Sequence, residues 1–546
     1  MVTVIDYVLN RLRDIGVADI FGVPGDYSFP VNDAICNHPD IRWIGCSNEL
    51  NAAYAADGYA RIKGVGAVCT TYGVGELSAL NGIAGAYAEH LPIFHLVGAP
   101  NLAAQRNRKL MHHTLGNGEY GFFRKMSEPV VVAHTVLTPQ NAAYETERLI
   151  FEALYHRRPV YMAFPADLAE QPIVTEAEPI KMPRSNPQAL ASAVSAIGER
   201  IHSARTACVL PGILIARCGY RPELLDLIDH SGLPFATMFM AKTVLDERYP
   251  SYVGMYDGAL MNEEVRQFVE GCDLVIDIGS PMTDFNSGAF TSKLDPAKTI
   301  VIGHHRTEVS GKTYHGVEMQ DILRALSKLP IHRRWPSTTP TTLGPLRGEG
   351  GDPIDSASLY PRWERFLRDD DILVAETGTA SMGLGFAHMP AGSTFHNQTL
   401  WGSIGWATPA TLGVAVAAPD KRVVLVTGDG SHQMTVQEIG QFARLGLKPI
   451  IFVLNNDGYL IERLLCKDPA IEYNDIARWN YSQLPAALGL SDWRAFRVST
   501  CAELEEAMAA ASSGETGSYI EIVTDAYAAS PLSLKLHDAM QALYKA

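Results

Sequence analysis

Residues 423–462 read VVLVTGDGSHQMTVQEIGQFARLGLKPIIFVLNNDGYLIE, and this segment is the strongest indication of the fold. One apolar strand ends at the GDG of residues 428–430, a helix follows, and a second apolar strand ends at the NN of residues 455–456. A strand, a crossover helix and another strand at this spacing predict neighbouring parallel strands in an α/β sheet. Asp429 and Asn456 then lie at the carboxyl ends of adjacent strands, where open α/β sheets bind ligands.

The same alternation of strands and helices continues along the rest of the chain. Stretches rich in Pro and polar residues at 169–188 and 336–353 are typical of linkers and divide the chain into three blocks. We predict an α/β fold with three doubly wound parallel-sheet domains at 1–172, 190–335 and 356–546. The predicted strands are 19–23, 66–71, 92–98 and 159–164, then 207–210, 274–278 and 299–302, then 372–375, 423–427 and 449–454.

The first and third blocks share one internal similarity. AYAEHLPIFHLVGA at 86–99 and QFARLGLKPIIFVLNN at 441–456 each run from a helix into a Pro-led apolar strand. A duplication of the domain would produce this pattern. The ordinary alternation of helices and strands in α/β proteins would produce it equally well.

Composition excludes several classes of protein. The chain has 546 residues, 47% of them hydrophobic, and a formal net charge of −15, with basic pairs at 157–158 and 333–334 that form no stripe. Nucleic acid is therefore a poor candidate partner. The eight cysteines form no C-x-x-C pair, which favours a reducing compartment over disulfides or a zinc site. No window approaches the ~20 apolar residues of a membrane span. The first segment resembles an amphipathic helix and not a secretory signal peptide. We therefore expect a cytoplasmic protein without a membrane partner.

The two strand ends of the opening stretch carry the oxygen ligands of a cation site. Asp429 offers a carboxylate, Asn456 an amide oxygen, and the glycine turn that follows a main-chain carbonyl, all suited to Mg²⁺ or Ca²⁺. Gly430 lets the backbone come close to a ligand, and the helix after it presents free N–H groups to an anion. The pattern favours a diphosphate site, and the alternative is two ordinary strand-end turns.

These motifs resemble the thiamine diphosphate enzymes, whose cofactor motif is GDG followed further along the chain by NN. The resemblance implies that Asp429, Asn456 and the carbonyl of Gly458 hold the Mg²⁺ that anchors the diphosphate of thiamine diphosphate. The residues it assigns to cofactor binding are Glu49, Thr71, Gly378, Thr379, Ser403, Ile404, Gly428, Asp429, Gly430, Ser431, Asn456, Gly458, Tyr459 and Ile461.

Two further motifs carry roles in this family. Glu49, in GCSNELNAAYAADGYAR, matches the glutamate that bonds the pyrimidine of the cofactor and helps to deprotonate its C2 atom. Ile404, in WGSIGWATPA, matches the apolar residue that holds the cofactor in a bent shape. Without the family, Glu49 would be taken for a surface residue and Ile404 for a buried apolar one.

Short sequence motifs spread over nearly the whole chain indicate the reaction. GVPGDY, TYGVGELSALNGIAGAYAEHLP, MHHTLGNGEY and ETGT are similar to the 2-oxo acid decarboxylases, and the chain is closest to the indolepyruvate decarboxylase type. The family releases CO₂ and an aldehyde without oxidation. The catalytic residues that it implies, besides Glu49, are Asp26, His112, His113 and Glu462, which would supply and relay protons. Taken singly, each is an ordinary turn, surface or helix-start residue.

The resemblance also aligns a substrate pocket, formed by Phe285, Ser381, Met382, Ile461 and Leu465. Pyruvate-specific members carry bulky aromatic residues at the positions of Ser381 and Met382. A small and a flexible side chain there open volume, so we expect an aromatic or branched 2-oxo acid, although Phe285 narrows the same space.

Alternative functions remain open at this point. They are a pyruvate decarboxylase, a carboligase of the acetolactate synthase type, a flavin-dependent oxo acid oxidase, and a non-catalytic descendant that keeps the fold. Because the family completes its site across a subunit interface, we also expect a homo-oligomer, at least a dimer and more typically a homotetramer built as a pair of dimers.

Overall fold

The computed structural model describes residues 1–331 and 343–543. The basic pair at 333–334, the last residues of the predicted domain 190–335, and residues 336–342 of the predicted linker 336–353 lie outside the described residues. Among the described residues, no helix is both long enough and apolar enough to cross a lipid bilayer.

The first block forms a six-stranded parallel sheet in the order β2-β1-β3-β4-β6-β5. Alternate residues of each strand enter two different apolar cores, as Ala67 and Val68 do, because both faces of the sheet are covered. The strands are β1 Asp19–Gly22, β2 Arg42–Gly45, β3 Gly66–Thr71, β4 Ile93–Ala99, β5 Ala133–Val136 and β6 Val160–Pro165. The helices are α1 Val4–Asp14, α2 Phe29–Asn37, α3 Glu49–Lys63, α4 Val74–Ala88, α5 Leu102–Arg106, α6 Phe122–Ser127 and α7 Ala142–His156.

The middle block forms a seven-stranded sheet in the order β13-β12-β11-β10-β7-β8-β9. Its strands are β7 Ala207–Pro211, β8 Phe235–Thr237, β9 Tyr252–Met255, β10 Leu274–Ile278, β11 Thr299–Ile302, β12 Arg306–Val309 and β13 Lys312–His315. Its helices are α8 Pro187–Ser203, α9 Ile213–Cys218, α10 Arg221–Ser231, α11 Glu263–Gly271 and α12 Met319–Leu326.

An antiparallel edge corrects the all-parallel expectation for this sheet. Strand β12 pairs antiparallel with both β11 and β13. Ser310 and Gly311 join β12 to β13 with φ of 52° and 78°, the backbone of a two-residue hairpin turn. The hairpin was missed because its strands are short and partly exposed. The fold class is otherwise confirmed, with three mostly parallel α/β sheets.

The third block forms a six-stranded parallel sheet in the order β15-β14-β16-β17-β19-β18. Its strands are β14 Ile372–Ala375, β15 Thr394–His396, β16 Val423–Gly428, β17 Ile450–Asn455, β18 Arg494–Val498 and β19 Ser518–Val523. Its helices are α13 Ser356–Phe366, α14 Thr379–Leu384, α15 Ala407–Ala417, α16 Asp429–Thr435, α17 Ile439–Leu445, α18 Leu460–Leu465, α19 Leu484–Ala487, α20 Cys501–Ala511 and α21 Pro531–Leu543.

The first and third sheets have the same strand order, counted from the first strand of each. The two similar segments of the sequence occupy the same place in it, because 86–99 ends as β4 and 441–456 ends as β17, the fourth strand of each sheet. The internal similarity is therefore matched in topology.

Helices α3 and α15 pack these two units together. Gly58 lies against the backbone of Ala410, and Gly413 lies against the backbone of Ala55, so a Cβ at either glycine would overlap its neighbour. The indole N–H of Trp406 also donates to Asp57 across the contact, at 3.0 Å. The N-terminal and C-terminal units of one chain are thereby held in close contact.

Candidate active site

The GDG turn places a buried carboxylate between two neighbouring strands. Asp429 is the first residue of α16, and its side chain accepts hydrogen bonds from the backbone N–H groups of Gly430 at 2.8 Å, Asn456 at 3.1 Å and Gly458 at 3.2 Å. Two of these donors come from the turn after β17, because β16 and β17 run parallel and end at the same edge. The aspartate and the turn therefore face the same point.

The oxygen atoms around that point fit a divalent cation. The amide oxygen of Asn456 faces only acceptors, and an amide rotated by 180° would put its nitrogen 2.8 Å from the carbonyl oxygen of Gly458 and 3.3 Å from Oδ1 of Asp429. Neighbouring ligands of octahedral Mg²⁺ are about 2.9 Å apart, given metal–oxygen distances of about 2.0–2.1 Å. Three oxygens from a carboxylate, an amide and a carbonyl at this spacing match the donor set of Mg²⁺, whereas the rotated amide would only close the turn on itself.

Burial raises the pKa of Asp429 to about 6, although the backbone donors of the turn act in the opposite direction. A carboxyl that is 1% exposed has lost its hydration, which disfavours the charged form. A cation at the same point would restore the charged form. The electrostatics of the turn therefore agree with its geometry.

Arg463 holds the turn by hydrogen bonds to its carbonyl groups. It was not among the site residues predicted from the sequence. This buried guanidinium on α18 donates to the carbonyl of Asn456 at 3.0 Å and to the carbonyl of Asp457 at 2.6 Å. The next carbonyl, that of Gly458, faces the side-chain amide of Asn456 instead. Gly458 has φ of +152°, and a Cβ there would overlap Arg463, so the turn requires glycine. The only signal in the sequence was an arginine seven positions after the NN motif.

The turn opens into a cavity of about 340 Å³, which we call the C-terminal cavity. Its lining contains these predicted cofactor residues: Gly378, Thr379, Ile404, Gly428, Asp429, Gly430, Ser431, Asn456, Gly458, Tyr459 and Ile461. Glu462, a predicted proton carrier, lines it as well. Ser403 does not line it, and its hydroxyl lies 2.6 Å from the hydroxyl of Tyr54.

The loop that carries Ile404 is held by a buried glutamate that the sequence analysis did not assign. Glu376 accepts from the backbone N–H of Ala407 at 3.1 Å and from that of Thr377 at 3.0 Å. Burial raises the pKa of Glu376 to about 7. Glu376 therefore ties the end of β14 to the loop, which fixes the position of Ile404 at the cavity wall.

The other predicted catalytic residues gather at the carboxyl ends of β1, β3 and β4. Asp26 begins a short 3₁₀ turn, and its Oδ2 lies 2.7 Å from Nε2 of His112, while Nε2 of His113 lies 3.9 Å from Oδ1. Tyr27 stacks on His112 with ring centroids 4.8 Å apart, and its hydroxyl lies 3.3 Å from Nδ1. When Nε2–H of His112 donates to Asp26, Nδ1 can accept from Tyr27, so the imidazole has a partner on each side.

Glu49 lies beside this group. It is the first residue of α3, and a Cβ built on Gly75 would meet both its Oε1, at 3.2 Å, and Cγ2 of Thr71, at 3.1 Å. Burial raises the pKa of Glu49, and the hydroxyl of Thr71 is buried without a partner among the described residues. We call Asp26, Glu49, Thr71, His112 and His113 the N-terminal half-site.

Within one chain, the N-terminal half-site and the C-terminal cavity are separate. Every lining residue of the cavity falls between Thr377 and Tyr473, so the described lining includes no residue of the first block. The predicted proton carriers are divided in the same way, with Glu462 in the cavity and Asp26 with the two histidines in the half-site. The described lining of the C-terminal cavity thus contains none of the residues of the N-terminal half-site.

A second cavity, of about 210 Å³, adjoins the first at Ile461, and we call it the apolar cavity. Of the predicted substrate-pocket residues, Phe285, Met382, Ile461 and Leu465 line it, together with Leu532 and Leu536 of α21. Ser381 does not, because its buried hydroxyl donates to the carbonyl of Gly378 at 3.2 Å. Helices α14 and α18 thus contribute to both cavities.

Comparison with known protein families defines the class. Three models of thiamine pyrophosphate enzyme domains match the chain: the N-terminal TPP binding domain at residues 2–119, the central domain at 194–329 and the C-terminal TPP binding domain at 376–522. The fold and the matched domains are those of the thiamine pyrophosphate enzymes.

Curated relatives narrow the class. The chain is 41% identical to an alpha-keto-acid decarboxylase of Mycobacterium leprae over 517 residues, which cover 93% of this chain and 90% of the relative. It is also 41% identical to one of Mycobacterium tuberculosis over 518 residues, which cover 93% and 92%. The crystal structure of benzoylformate decarboxylase from Polynucleobacter necessarius has a TM-score of 0.80 at 18% identity, covering 97% of this chain and all of that one, which shows the fold alone. The chain belongs to the thiamine diphosphate-dependent 2-oxo acid decarboxylases, which are carboxy-lyases.

Proposed function

We propose that this decarboxylase converts an extended, aromatic or branched 2-oxo acid to CO₂ and the corresponding aldehyde, with Mg²⁺ bound between the chain and the diphosphate. The observation that carries the substrate class is the apolar cavity beside the C-terminal cavity. Met382, Leu465, Leu532 and Leu536 surround a space that the methyl group of pyruvate would leave largely unfilled. An aromatic or branched side chain would bury apolar area there.

The protein's own residues have three tasks in this proposal. Asp429, Asn456 and the carbonyl of Gly458 would hold Mg²⁺, and the N–H groups at the start of α16 would face the diphosphate. Thiamine diphosphate, when bound, supplies the positively charged ring that accepts the electron pair left behind by CO₂. The apolar walls exclude water from the substrate carboxylate.

Proton transfer would belong to the N-terminal half-site and Glu462. The partly buried carboxyl of Glu49, with its raised pKa, suits a bond to a ring nitrogen of the cofactor. Asp26 and His112, which are 2.7 Å apart, can pass a proton between them, and His113 is the next imidazole along the chain. These groups would supply protons to the reacting carbon from one side, and Glu462 would do so from the cavity wall.

We further propose that the working protein is a homo-oligomer, at least a dimer and in the family's usual form a tetramer. The separation of the N-terminal half-site from the C-terminal cavity supports this proposal, since a second copy can supply the missing part. Exposed apolar side chains support it too. Those near the half-site in sequence are Phe29, Val74, Leu110 and Leu115, and those near the cavity residues are Leu400, Trp401 and Met434.

The test of the substrate class is a comparison of kcat/KM for pyruvate, 4-methyl-2-oxopentanoate, phenylpyruvate and indolepyruvate. We expect the larger acids to be preferred. Met382→Trp should shift the preference toward pyruvate, because it fills the apolar cavity. A clear preference of the unmodified protein for pyruvate would favour the alternative, a pyruvate decarboxylase. Phe285 at the cavity wall supports that alternative, because it narrows the space for the substrate side chain. Acetolactate as the main product would indicate a carboligase of the acetolactate synthase type.

A further inference from the structure

One wall of the apolar cavity carries a carboxyl group that has no role in the proposed reaction. Asp257 follows β9 and lines the cavity, and it is 3% exposed. Its Oδ1 accepts a hydrogen bond from the backbone N–H of Met261 at 3.2 Å. Its Oδ2 is buried and has no hydrogen-bond partner among the described residues.

An unpartnered carboxyl oxygen in apolar surroundings is costly to the fold. Phe239, Phe285 and Leu260 line the same cavity, and all are apolar. Burying a polar atom without a partner lowers the free energy of unfolding, because the hydrogen bond that the atom makes to water in the unfolded chain is not replaced. An apolar residue of similar size would avoid this cost, so the carboxyl at this position calls for an explanation outside the fold.

A second carboxyl on the same wall is partly exposed and provides a contrast. Asp284 also lines the cavity, and its Oδ1 accepts the backbone N–H of Phe285 at 2.9 Å. Its partial exposure lets water reach the other oxygen, whereas Asp257 is 3% exposed. Lys535, an exposed residue of α21 whose charge acts on Asp257, is not among the residues that line the cavity. Asp257 is therefore the lining carboxyl with a buried oxygen that the described residues leave without a partner.

We propose that Asp257 is a specificity-determining residue that accepts a hydrogen bond from a donor at the far end of the substrate side chain. The proposal rests on the proposed function and narrows its substrate class to aromatic 2-oxo acids that carry a ring N–H or O–H, such as an indole or a phenol. A ring fits the apolar lining, in which Phe239 and Phe285 stack with centroids 6.2 Å apart. A neutral donor fits better than an ammonium group, which would pay a larger desolvation cost in the same place.

This role predicts a difference between substrates rather than a general effect on turnover. A site built to hydrogen-bond a substrate group discriminates against the analogue that lacks it, because the protein group is then left unpaired. The unmodified enzyme should therefore prefer indolepyruvate and 4-hydroxyphenylpyruvate to phenylpyruvate in kcat/KM, by about tenfold or more. The relevant quantity is this ratio of donor-bearing to donor-free substrate.

The experiment measures that ratio in the full chain loaded with thiamine diphosphate and Mg²⁺. Asp257→Leu keeps the branched shape of the side chain and removes both oxygens, and we expect the ratio to fall about tenfold. Asp284→Leu is the matched control on the same wall, and it should change the ratio by less than about twofold, because that carboxyl is partly exposed and water can pair with it whichever substrate is bound. If the Asp257→Leu variant does not fold, Asp257→Asn carries the test, with a smaller fall of about threefold because an acceptor remains.

Each outcome is decisive. A ratio that stays unchanged in a folded Asp257 variant overturns the proposal, and so does a preference of the unmodified enzyme for phenylpyruvate or for a basic 2-oxo acid such as 2-oxo-5-guanidinopentanoate. Failure of the proposed function looks different, since pyruvate would then be preferred to every larger 2-oxo acid, or no 2-oxo acid would yield an aldehyde. Calorimetric binding of indole-3-propionate and 3-phenylpropionate, which cannot react, supplies the same ratio without turnover.

Discussion

The backbone N–H of Asn456 donates to Oδ2 of Asp429 over 3.1 Å, although the two residues are 27 positions apart in the chain. This bond joins the ends of β16 and β17 at the edge of the sheet. The protein's own hydrogen bonds therefore hold the oxygens of Asp429, Asn456 and Gly458 close together, which lowers the ordering cost of binding a cation.

Asp429 should make cation binding depend on pH. Its pKa of about 6 lies above the ordinary value of 3.8, so the folded apo protein favours the protonated form. In the apo protein, this contribution to the free energy of unfolding is present below about pH 4 and is lost as the pH rises through about 6. Because Mg²⁺ needs the carboxylate, its affinity should fall by up to about tenfold per pH unit below about 6. Calorimetric titration of the apo protein with Mg²⁺ and thiamine diphosphate between pH 5 and 8 measures this dependence.

The variants that go with this measurement are Asp429→Asn and the exposed control Asp492→Asn. The first should lose affinity for Mg²⁺ by about a hundredfold or more, since it removes a charged ligand. The second should bind like the unmodified protein. An Asp429→Asn protein with unchanged affinity would contradict the assignment of this carboxylate to the cation.

Arg463 should affect stability and cation affinity together. Arg463→Met removes charge-assisted hydrogen bonds to two carbonyls of the turn, so we expect the free energy of unfolding to fall by about 2–3 kcal/mol and the Mg²⁺ affinity by about tenfold. Arg478→Met is the matched control, because Arg478 contacts Asp457 of the same turn at 2.7 Å from an exposed position, where solvent screens the ion pair and its loss should change both quantities much less. Chemical denaturation and calorimetry give the two quantities, and equal effects of the two variants would refute a special role for Arg463.

Several parts of the fold were predictable because their signal is local. Strands β3, β10, β11 and β14 have the predicted limits, since each is a short apolar run at the centre of a sheet or beside it. Edge strands such as β2, Arg42–Gly45, were missed because half of their side chains face outward and no apolar run marks them.

The site was predictable in its residue types and not in its distances. Residues such as Asp26 and His112 could be named from their motifs, but their 2.7 Å contact joins positions 86 apart and required the fold. Arg463 and Asp257 had no motif, because their importance comes from carbonyls and cavity walls that only folding brings to them. The division of the site between two parts of the chain was expected from the family, and the described lining of the C-terminal cavity contains no residue of the N-terminal half-site.

Glu49→Gln should reduce kcat by about 10²-fold or more, because the amide is a much weaker acid and base toward the cofactor. Binding of thiamine diphosphate should change little, since the Mg²⁺ ligands are untouched. Steady-state kinetics and calorimetry measure the two effects, with the exposed Glu199→Gln as the control. Unchanged aldehyde release by a protein lacking the Glu49 carboxyl would remove Glu49 from the chemistry.

Mixing two inactive variants tests whether two copies share a site. When Glu49→Gln and Asp429→Asn chains are co-expressed and pair at random, half of the dimers are mixed, and a shared-site dimer of this kind has one intact site of two. Aldehyde formation should therefore recover to about a quarter of the unmodified activity. If each chain completes its own site, every site carries a defect and no activity returns.

We expect the chain to decarboxylate 2-oxo acids with thiamine diphosphate and Mg²⁺ and to release the aldehyde. The direct measurement is incubation of the apo protein with phenylpyruvate or indolepyruvate, in which CO₂ is collected and aldehyde is read with a coupled dehydrogenase. We predict equal amounts of CO₂ and aldehyde, formed only when both the cofactor and the cation are present. Absence of aldehyde under these conditions, or formation of an acetolactate-type or oxidised product in its place, would contradict the account.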